Sequence, residues 1–152
     1  MTPSYLRARV INEKITWIQE MLASLRTLPL ESNEIFHADP RNHGAAESYL
    51  RRALEGLLDL GRHILAKGCG KPVSEYKEIA RSLADSGVLD ESHGNLLRQM
   101  AGYRNRLVHF YDEISENELF EICQNRLGDI EKLIEAILDW IRAHPEKIDG
   151  QL

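Results

Sequence analysis

The sequence contains few of the residues and patterns that mark metal, redox and nucleotide sites. Its 152 residues include only two cysteines, Cys69 and Cys123, which are far apart and show no CxxC spacing. This argues against a zinc knuckle or a disulfide framework and fits a reducing compartment. The histidines form no HxxxH or HExxH pattern, and there is no GxGxxG, Walker or GxSxG motif. We therefore expect neither a bound metal nor a cofactor.

The sequence also lacks an excess of positive charge and a long apolar run. Its formal net charge is -5, whereas a non-specific nucleic-acid coat is basic overall. Any contact with nucleic acid must therefore be local, as in a small cleft lined by a few Arg and Lys. No apolar run approaches the length of a membrane span, and the N-terminal stretch lacks the apolar core of a signal peptide. We expect a cytoplasmic protein with no contact to a membrane.

Apolar residues recur at helical spacing, and breaks rich in Pro and Gly separate the stretches. No segment alternates with the period of two that a half-buried strand requires. The predicted helices cover about 5–27, about 41–67, a short stretch capped by Ser74, a stretch from about Asp90, and a last one from Ser115 to near His144. We predict an all-α, up-and-down bundle of four long helices and one short helix. It should form a single domain over residues 1–152 with a loose tail at 145–152.

Local signals mark some helix starts and close contacts. Asp39, directly before a proline, predicts the start of the second helix, while Ser115 with Glu118 three residues later forms a capping box. Gly56 and Gly61 inside the second helix should allow another backbone to approach closely.

The end of the fourth predicted helix carries polar residues in the order Arg-x-x-x-x-His-x-Tyr. These are Arg104, His109 and Tyr111, and Asn105 follows the arginine directly. On a straight helix, positions 104 and 109 differ by about 140° at about 100° per residue. Two arrangements would bring them together: the helix ends or unwinds near residues 108 to 111, or a second copy of the chain supplies the partner residues.

The apolar residues of this helix fall into two stripes. Small residues at Ala101 and Gly102 would permit a close approach of helices, so we predict a symmetric homodimer that brings two motifs together. The predicted core stripe is Leu96, Met100, Tyr103 and Leu107, and the separate stripe is Leu97, Ala101, Arg104, Val108 and Tyr111.

The residue types of the motif suit cleavage of RNA. An imidazole such as that of His109 can take a proton from a ribose 2′-hydroxyl or give one to the leaving oxygen. Arg104 can bind the phosphate and stabilise the charge of the transition state, Asn105 can orient His109 or bind the phosphate, and Tyr111 can position the ribose or stack on a base. Spacing alone also admits a structural explanation, because the helix dipole favours His near a C-terminus.

Three further residues are candidates for supporting roles. Glu55 and Asp59 lie on the polar side of the second predicted helix, where either can pair with Arg104. Arg106 adds positive charge beside the motif.

The block from Met100 to Tyr111 resembles the signature of the HepT-like branch of the HEPN superfamily, the toxin halves of HepT/MntA toxin-antitoxin pairs. Residues Ala53 to Ile64 resemble the second helix of that family, and Pro72 to Leu89 resemble its short third helix. The resemblance thus covers nearly the whole chain.

This resemblance implies a homodimeric helical bundle whose composite cleft is a metal-independent endoribonuclease that leaves a 2′,3′-cyclic phosphate. By this resemblance, Arg104 and His109 match the catalytic Arg-x4-His pair, Asn105 the polar residue after the arginine, and Tyr111 the motif tyrosine. The implied partner is an antitoxin, an MNT-type nucleotidyltransferase that transfers AMP to that tyrosine and so adds charge and bulk to the RNA site. The alternative is a non-catalytic HEPN module that docks a nucleotidyltransferase or binds nucleotide or RNA.

Overall fold

Helices form the framework of the molecule. The computed structural model describes residues 5–109 and 114–152, and within them it contains no β-strand, which confirms the all-α class. None of the helices in these ranges has the length and apolar character needed to cross a membrane. The α-helices are α1 (Ala8–Arg26), α2 (Asn33–Ala38), α3 (Pro40–His63), α4 (Tyr76–Asp85), α5 (Glu91–Val108), α6 (Glu116–Asn125) and α7 (Leu127–Arg142).

The apolar core is built around α1 and α3, which pack along each other. Glycines of α3 permit close packing on two sides. A Cβ on Gly56 would lie 2.9 Å from Ile18 Cγ1 of α1, and one on Gly61 would lie 2.8 Å from Ile79 Cγ2 of α4. Both distances are too short for a real Cβ contact, so a neighbouring element does come close at these two glycines, although the nearest atoms belong to side chains and not to the predicted backbone. The fully buried side chains include Ile11, Ile18 and Leu25 of α1 and Leu50, Leu54, Leu57, Leu58 and Leu60 of α3.

Side-chain caps fix two helix starts as predicted. Asp39 Oδ1 accepts a hydrogen bond from the backbone N–H of Arg41 at 3.0 Å, and Ser115 Oγ accepts one from the backbone N–H of Glu118 at 3.2 Å. Each bond satisfies a helix N-terminal donor that would otherwise lack a partner within the helix.

The prediction that Ser74 caps the short helix is wrong. Helix α4 begins at Tyr76 after Glu75, and its first turn has no side-chain cap. The carbonyl oxygen of Ser74 instead accepts a hydrogen bond from Arg62 Nη2 at 2.7 Å, which ties the segment before α4 to α3.

Two features go beyond the predicted set of four long helices and one short helix. Residues Asn33–Ala38 form α2, a six-residue helix whose Phe36 is completely buried, so burial of this ring stabilises a helix within a segment that the sequence suggests only as a break. The last predicted helix is divided into α6 and α7 at Arg126, whose backbone angles of φ -113° and ψ -3° depart from helical values.

The two ends of the described chain are hydrogen-bonded together, although the sequence predicts a loose tail after residue 145. The backbone N–H of Leu6 donates to the carbonyl of Lys147 at 2.7 Å, and the N–H of Asp149 donates to the carbonyl of Leu6 at 3.0 Å. The carboxylate of Asp149 accepts a hydrogen bond from the backbone N–H of Ala8 at 2.9 Å. Asp149 therefore supplies a cap for α1 from the far end of the chain.

Helix α5 packs against α3, α4 and α7, and its buried face differs from the predicted one. Leu97 and Ala101, which were expected in a separate stripe that faces a second copy, are 0% and 3% exposed within one chain. Because α4 covers this side of α5, the stripe is part of the core and does not by itself support a dimer. The predicted core residues Leu96, Tyr103 and Leu107 are only partly buried, while Met100 is buried as expected.

Candidate active site

The C-terminus of α5 decides how the motif residues are placed. The helix ends at Val108, and His109 is in an extended conformation with φ -105° and ψ 116°. Its backbone N–H still donates to the carbonyl of Asn105 at 3.2 Å, so the last helical hydrogen bond is kept while the chain leaves the helix. Of the two arrangements that the sequence leaves open, the structure shows the first: the helix ends before residue 109.

As a result, Arg104, Asn105 and His109 line one cleft of about 470 Å³, which we call the Arg104 cleft. His109 is exposed there. The remaining lining residues come from α3, from the start of α4 and from the segment before it, and they are Arg62, Ser74, Glu75, Tyr76 and Lys77. The lining holds more basic than acidic side chains, which is the local basic surface that an acidic protein requires in order to hold a phosphate.

Arg104 has contacts on three sides and is partly buried. Its Nε donates to Glu55 Oε1 at 3.4 Å, and its Nη1 donates to Asn105 Oδ1 at 3.3 Å. Its guanidinium carbon lies 4.6 Å from the centre of the Tyr76 ring. Of the two acidic residues proposed as partners, Glu55 pairs with Arg104. The side chain of Asn105 contacts Arg104, whereas the sequence suggests a contact with His109 or with the phosphate.

Tyr76 is a site residue that the motif does not reveal. Its ring contacts two guanidinium groups, because the guanidinium carbon of Arg62 lies 4.8 Å from the ring centre. Its hydroxyl donates to Asp59 Oδ1 at 2.7 Å, and the same oxygen accepts from Arg62 Nη1 at 3.2 Å. Burial, followed by the hydrogen bond to Asp59, raises the pKa of Tyr76 to about 12. The phenol therefore keeps its proton at neutral pH.

Arg106 turns away from this cleft toward α6. Its Nη1 and Nη2 donate to the two carboxylate oxygens of Glu118 at 2.8 and 2.6 Å. This bidentate pair is the strongest geometry available to an arginine and a carboxylate. The hydrogen bond from Arg106 lowers the pKa of Glu118 below its ordinary value of 4.5. The carboxylate of the predicted capping box thus joins α6 to α5.

His109 also borders a second cavity, of about 620 Å³, on the side of α6. This cavity is lined in part by apolar residues from both sides of the segment that follows His109, and by His43, Glu47 and Arg51 of α3. His109 therefore lies at the boundary between two cavities, and the other motif residues Arg104 and Asn105 line only the first of them.

Tyr111 lies outside the described residues. Within the ranges that the structure describes, no group of three or more His, Cys, Asp and Glu side chains is arranged to hold a metal ion. Cys69 and Cys123 are free thiols, and burial raises the pKa of Cys123 to about 12, so this thiol is not a nucleophile at neutral pH.

Comparison with known proteins places this chain in a family. The family model described as Ribonuclease HepT-like matches residues 11–137. The mRNA nuclease HepT of Shewanella oneidensis is 29% identical over 89 residues, which are 58% of this chain and 66% of that protein. A protein of Archaeoglobus fulgidus that is named as a candidate RNase is 24% identical over 146 residues, which are 95% of this chain and 100% of that protein.

Solved structures share the fold at low sequence identity. A tri-AMPylated HEPN toxin of Shewanella oneidensis, solved in complex with an MNT antitoxin, superposes with a TM-score of 0.77 at 22% identity, covering 86% of this chain and 97% of that chain. YutE of Bacillus subtilis, a cytosolic protein of unknown function, superposes with a TM-score of 0.72 at 19% identity, covering 91% and 94%. At such identities these likenesses show the fold alone. The family model, in contrast, spans well over half of the sequence, and the chain therefore belongs to the ribonuclease HepT-like family, as its motif suggests.

Proposed function

We propose that this chain is a metal-independent endoribonuclease and the toxin half of a HEPN/MNT toxin-antitoxin pair. The observation that carries the proposal is the end of α5 at Val108, because it lets His109 line the same cleft as Arg104. An exposed imidazole beside a partly buried guanidinium is the pair of groups that cleavage of a ribose phosphate needs. The nuclease relatives support this reading.

In the proposed reaction, the 2′-oxygen of a ribose attacks the adjacent phosphorus. The 2′-hydroxyl loses a proton and the 5′-oxygen gains one as the P–O5′ bond breaks. His109 performs one of these two transfers, as general base or as general acid, and water performs the other. Arg104 binds the non-bridging oxygens and stabilises their charge in the transition state. The products are one strand that ends in a 2′,3′-cyclic phosphate and one that begins with a 5′-hydroxyl.

The polar neighbours fit auxiliary roles in this scheme. Glu55 and Asn105 accept hydrogen bonds from Nε and from one N–H of Nη1 of Arg104. In the hydrogen bonds of the described residues, the second N–H of Nη1 and both N–H groups of Nη2 are left for phosphate oxygens. We propose that Asn105 orients Arg104. Arg106 is engaged with Glu118, so we give it no direct role in the chemistry.

We further propose an MNT-type nucleotidyltransferase as the partner, since the similar HEPN toxin of Shewanella oneidensis was solved in complex with an MNT antitoxin. The antitoxin would join the phenolic oxygen of Tyr111 to the α-phosphate of ATP, with pyrophosphate as the leaving group. AMP on this residue would oppose an RNA phosphate by charge and by bulk. Mass spectrometry after incubation with the partner and ATP tests this step, with Tyr111→Phe as the control that must stay unmodified.

A homodimer remains part of the proposal on the strength of the family resemblance. A second copy is not required to bring Arg104 and His109 to one cleft, because a single chain does so. Analytical ultracentrifugation tests whether the chain forms a dimer. A monomer at working concentration would contradict a composite cleft formed by two copies.

The catalytic proposal is tested by incubating purified protein with total RNA and with tRNA in EDTA. We expect cleavage by the wild type and a loss of at least about 100-fold in Arg104→Ala and in His109→Ala. His93→Ala is the matched control, because His93 lies on the same helix at its other end and contacts Asp90. Equal cleavage by the wild type and His109→Ala would contradict the proposal.

The same samples separate the alternative function. A wild-type chain that binds the nucleotidyltransferase but leaves RNA intact would be a docking module, and its complex would persist in Arg104→Ala and His109→Ala. Under the ribonuclease proposal, complex formation and RNA cleavage are both present in the wild type, and only cleavage is lost in the two variants.

A further inference from the structure

The Arg104 cleft contains an aromatic residue that contacts the guanidinium group proposed to bind phosphate. Tyr76 is the first residue of α4, and the guanidinium carbon of Arg104 lies 4.6 Å from its ring centre. A cation at this distance over a tyrosine ring is attracted by the negative face of the ring, and the attraction is stronger in a partly buried site. Arg104 meets this condition, since its side chain is only 25% exposed.

We propose that Tyr76 is a positioning residue for Arg104: its ring holds the guanidinium in the orientation that binds the scissile phosphate. This proposal rests on the ribonuclease function proposed above and adds a residue outside the Arg-x4-His-x-Tyr motif. Tyr76 acts through Arg104, while Arg104 touches the substrate.

The other contacts of Arg104 are too few to fix its orientation. The hydrogen bonds to Glu55 and Asn105 are long, at 3.4 and 3.3 Å, and an arginine side chain has about 2 kcal/mol of rotamer entropy to lose on being ordered. A ring whose centre lies 4.6 Å from the guanidinium carbon limits the positions that this group can take, while its N–H groups stay available for hydrogen bonds. The ring therefore supplies an orientation that the two long hydrogen bonds leave loose.

Tyr76 is itself anchored to α3. Its hydroxyl donates to Asp59 at 2.7 Å, Arg62 Nη1 donates to the same carboxylate at 3.2 Å, and Arg62 Nη2 donates to the carbonyl of Ser74 at 2.7 Å. These three bonds fix the start of α4, which has no side-chain cap of its own. Asp59 thus has a defined place in the site, two contacts away from the proposed phosphate-binding group.

The hydroxyl of Tyr76 is not a proton carrier in this arrangement. Its pKa is raised to about 12, mainly by burial and then by Asp59, so the group stays protonated over the range in which an imidazole titrates. The ring therefore remains neutral beside two guanidinium groups, and the proton of the hydroxyl is directed at Asp59.

Variants at Tyr76 test the proposal by kinetics. Tyr76→Leu removes the ring and should lower kcat by about 10- to 100-fold, since small displacements of a catalytic group have effects of that size. Tyr76→Phe keeps the ring and should stay within about 10-fold of the wild type. Tyr49→Leu is the matched control, because Tyr49 is a partly buried tyrosine of α3 that lines no part of the Arg104 cleft.

A double-mutant cycle of Tyr76→Leu with Arg104→Ala tests whether Tyr76 acts through Arg104. If Tyr76 works through Arg104, then Tyr76→Leu changes kcat by less than about 2-fold once Arg104 is alanine, because interacting residues are not additive. An undiminished loss in that background means that the ring acts directly on RNA or only on folding, and it overturns the proposal.

A measurement without RNA distinguishes failure of this proposal from failure of the ribonuclease function. Because the ring centre of Tyr76 lies 4.6 Å from the guanidinium carbon of Arg104, its ring current should shift the Nε–Hε signal of Arg104 in an NMR spectrum. This signal should move in Tyr76→Leu and be nearly retained in Tyr76→Phe. An unchanged signal in Tyr76→Leu overturns the positioning role whatever the activity. If the signal moves but the wild type cleaves no RNA, the contact is real and both the ribonuclease function and the positioning role are lost.

Discussion

Two arginines near the end of α5, Arg104 and Arg106, have opposite surroundings. They differ by about 200° around the helix axis, so Arg104 faces α3 and α4 while Arg106 faces α6. Arg106 forms a bidentate pair with Glu118 at 2.6 and 2.8 Å. Arg104 has one carboxylate contact at 3.4 Å and an aromatic ring beneath it. The pair at Arg106 joins two helices, whereas the looser contacts of Arg104 keep a guanidinium group available to a ligand.

This difference shows that the number of basic residues near the motif does not indicate which of them can bind a ligand. Both residues add positive charge to the same helical turn, yet the charge of Arg106 is balanced within the chain. Arg104 contacts Glu55, Asn105 and the ring of Tyr76, and its ion pair with Glu55 is long at 3.4 Å. The position on the helix, and not the residue type, separates the structural arginine from the proposed catalytic one.

The largest expected effect is on RNA cleavage. Arg104→Ala should lower kcat/KM by about 100- to 1000-fold, since it removes a charge that stabilises the transition state. Arg106→Ala should change kcat/KM by less than about 10-fold, because this side chain is engaged with Glu118. Steady-state kinetics on one defined RNA compares the two variants, and similar losses in both would contradict the separation of roles.

The second effect concerns stability and is smaller. A double-mutant cycle of Arg106→Met with Glu118→Gln should give a coupling of about 0.5 to 1 kcal/mol in the free energy of unfolding, as expected for a well-formed but partly exposed pair. The cycle of Arg104→Met with Glu55→Gln should give less than about 0.5 kcal/mol, because its contact is long. Urea denaturation measures both coupling energies. A larger coupling for Arg104 with Glu55 than for Arg106 with Glu118 would contradict the assignment of Arg106 as the arginine that stabilises the fold.

The smallest effect is a pH dependence. The pKa of Glu118 is lower in the folded chain than in the unfolded chain. The pair with Arg106 therefore stabilises the fold fully at pH values above the pKa of the unfolded carboxyl. This stabilisation is lost as the pH falls through the pKa of Glu118 in the folded chain. Arg106→Met should therefore lose less stability between neutral pH and about pH 3 than the wild type does. Unfolding midpoints over this pH range test this prediction. The control is Arg104→Met, which keeps the pair of Arg106 with Glu118 and should lose as much stability as the wild type does.

Much of the fold follows from the sequence because its signals are local. Helical periodicity and the caps at Asp39 and Ser115 each depend on a few neighbouring residues, and each is present in the structure. The motif residues are also local, and the end of α5 before His109 was one of two arrangements that helix geometry allowed.

The features that escaped prediction depend on tertiary contacts. In the sequence, Tyr76 has the pattern of an ordinary apolar residue of a short helix. Its contact with Arg104 exists because α4 packs on α3 and α5. The burial of Leu97 and Ala101 follows from the same packing. Asp149 caps α1 across 141 positions of sequence. No spacing rule in a single sequence identifies contacts of this range.

The most direct test of the central claim is the chemistry of the cut end. An end-labelled RNA is incubated with the wild type in EDTA, beside the same RNA with a 2′-deoxy nucleotide at the cleaved position. We expect a 2′,3′-cyclic phosphate end from the first RNA, no cut at that position in the second, and no cyclic phosphate end with His109→Ala. A 3′-hydroxyl end, or cleavage of the 2′-deoxy position at an equal rate, would contradict this expectation.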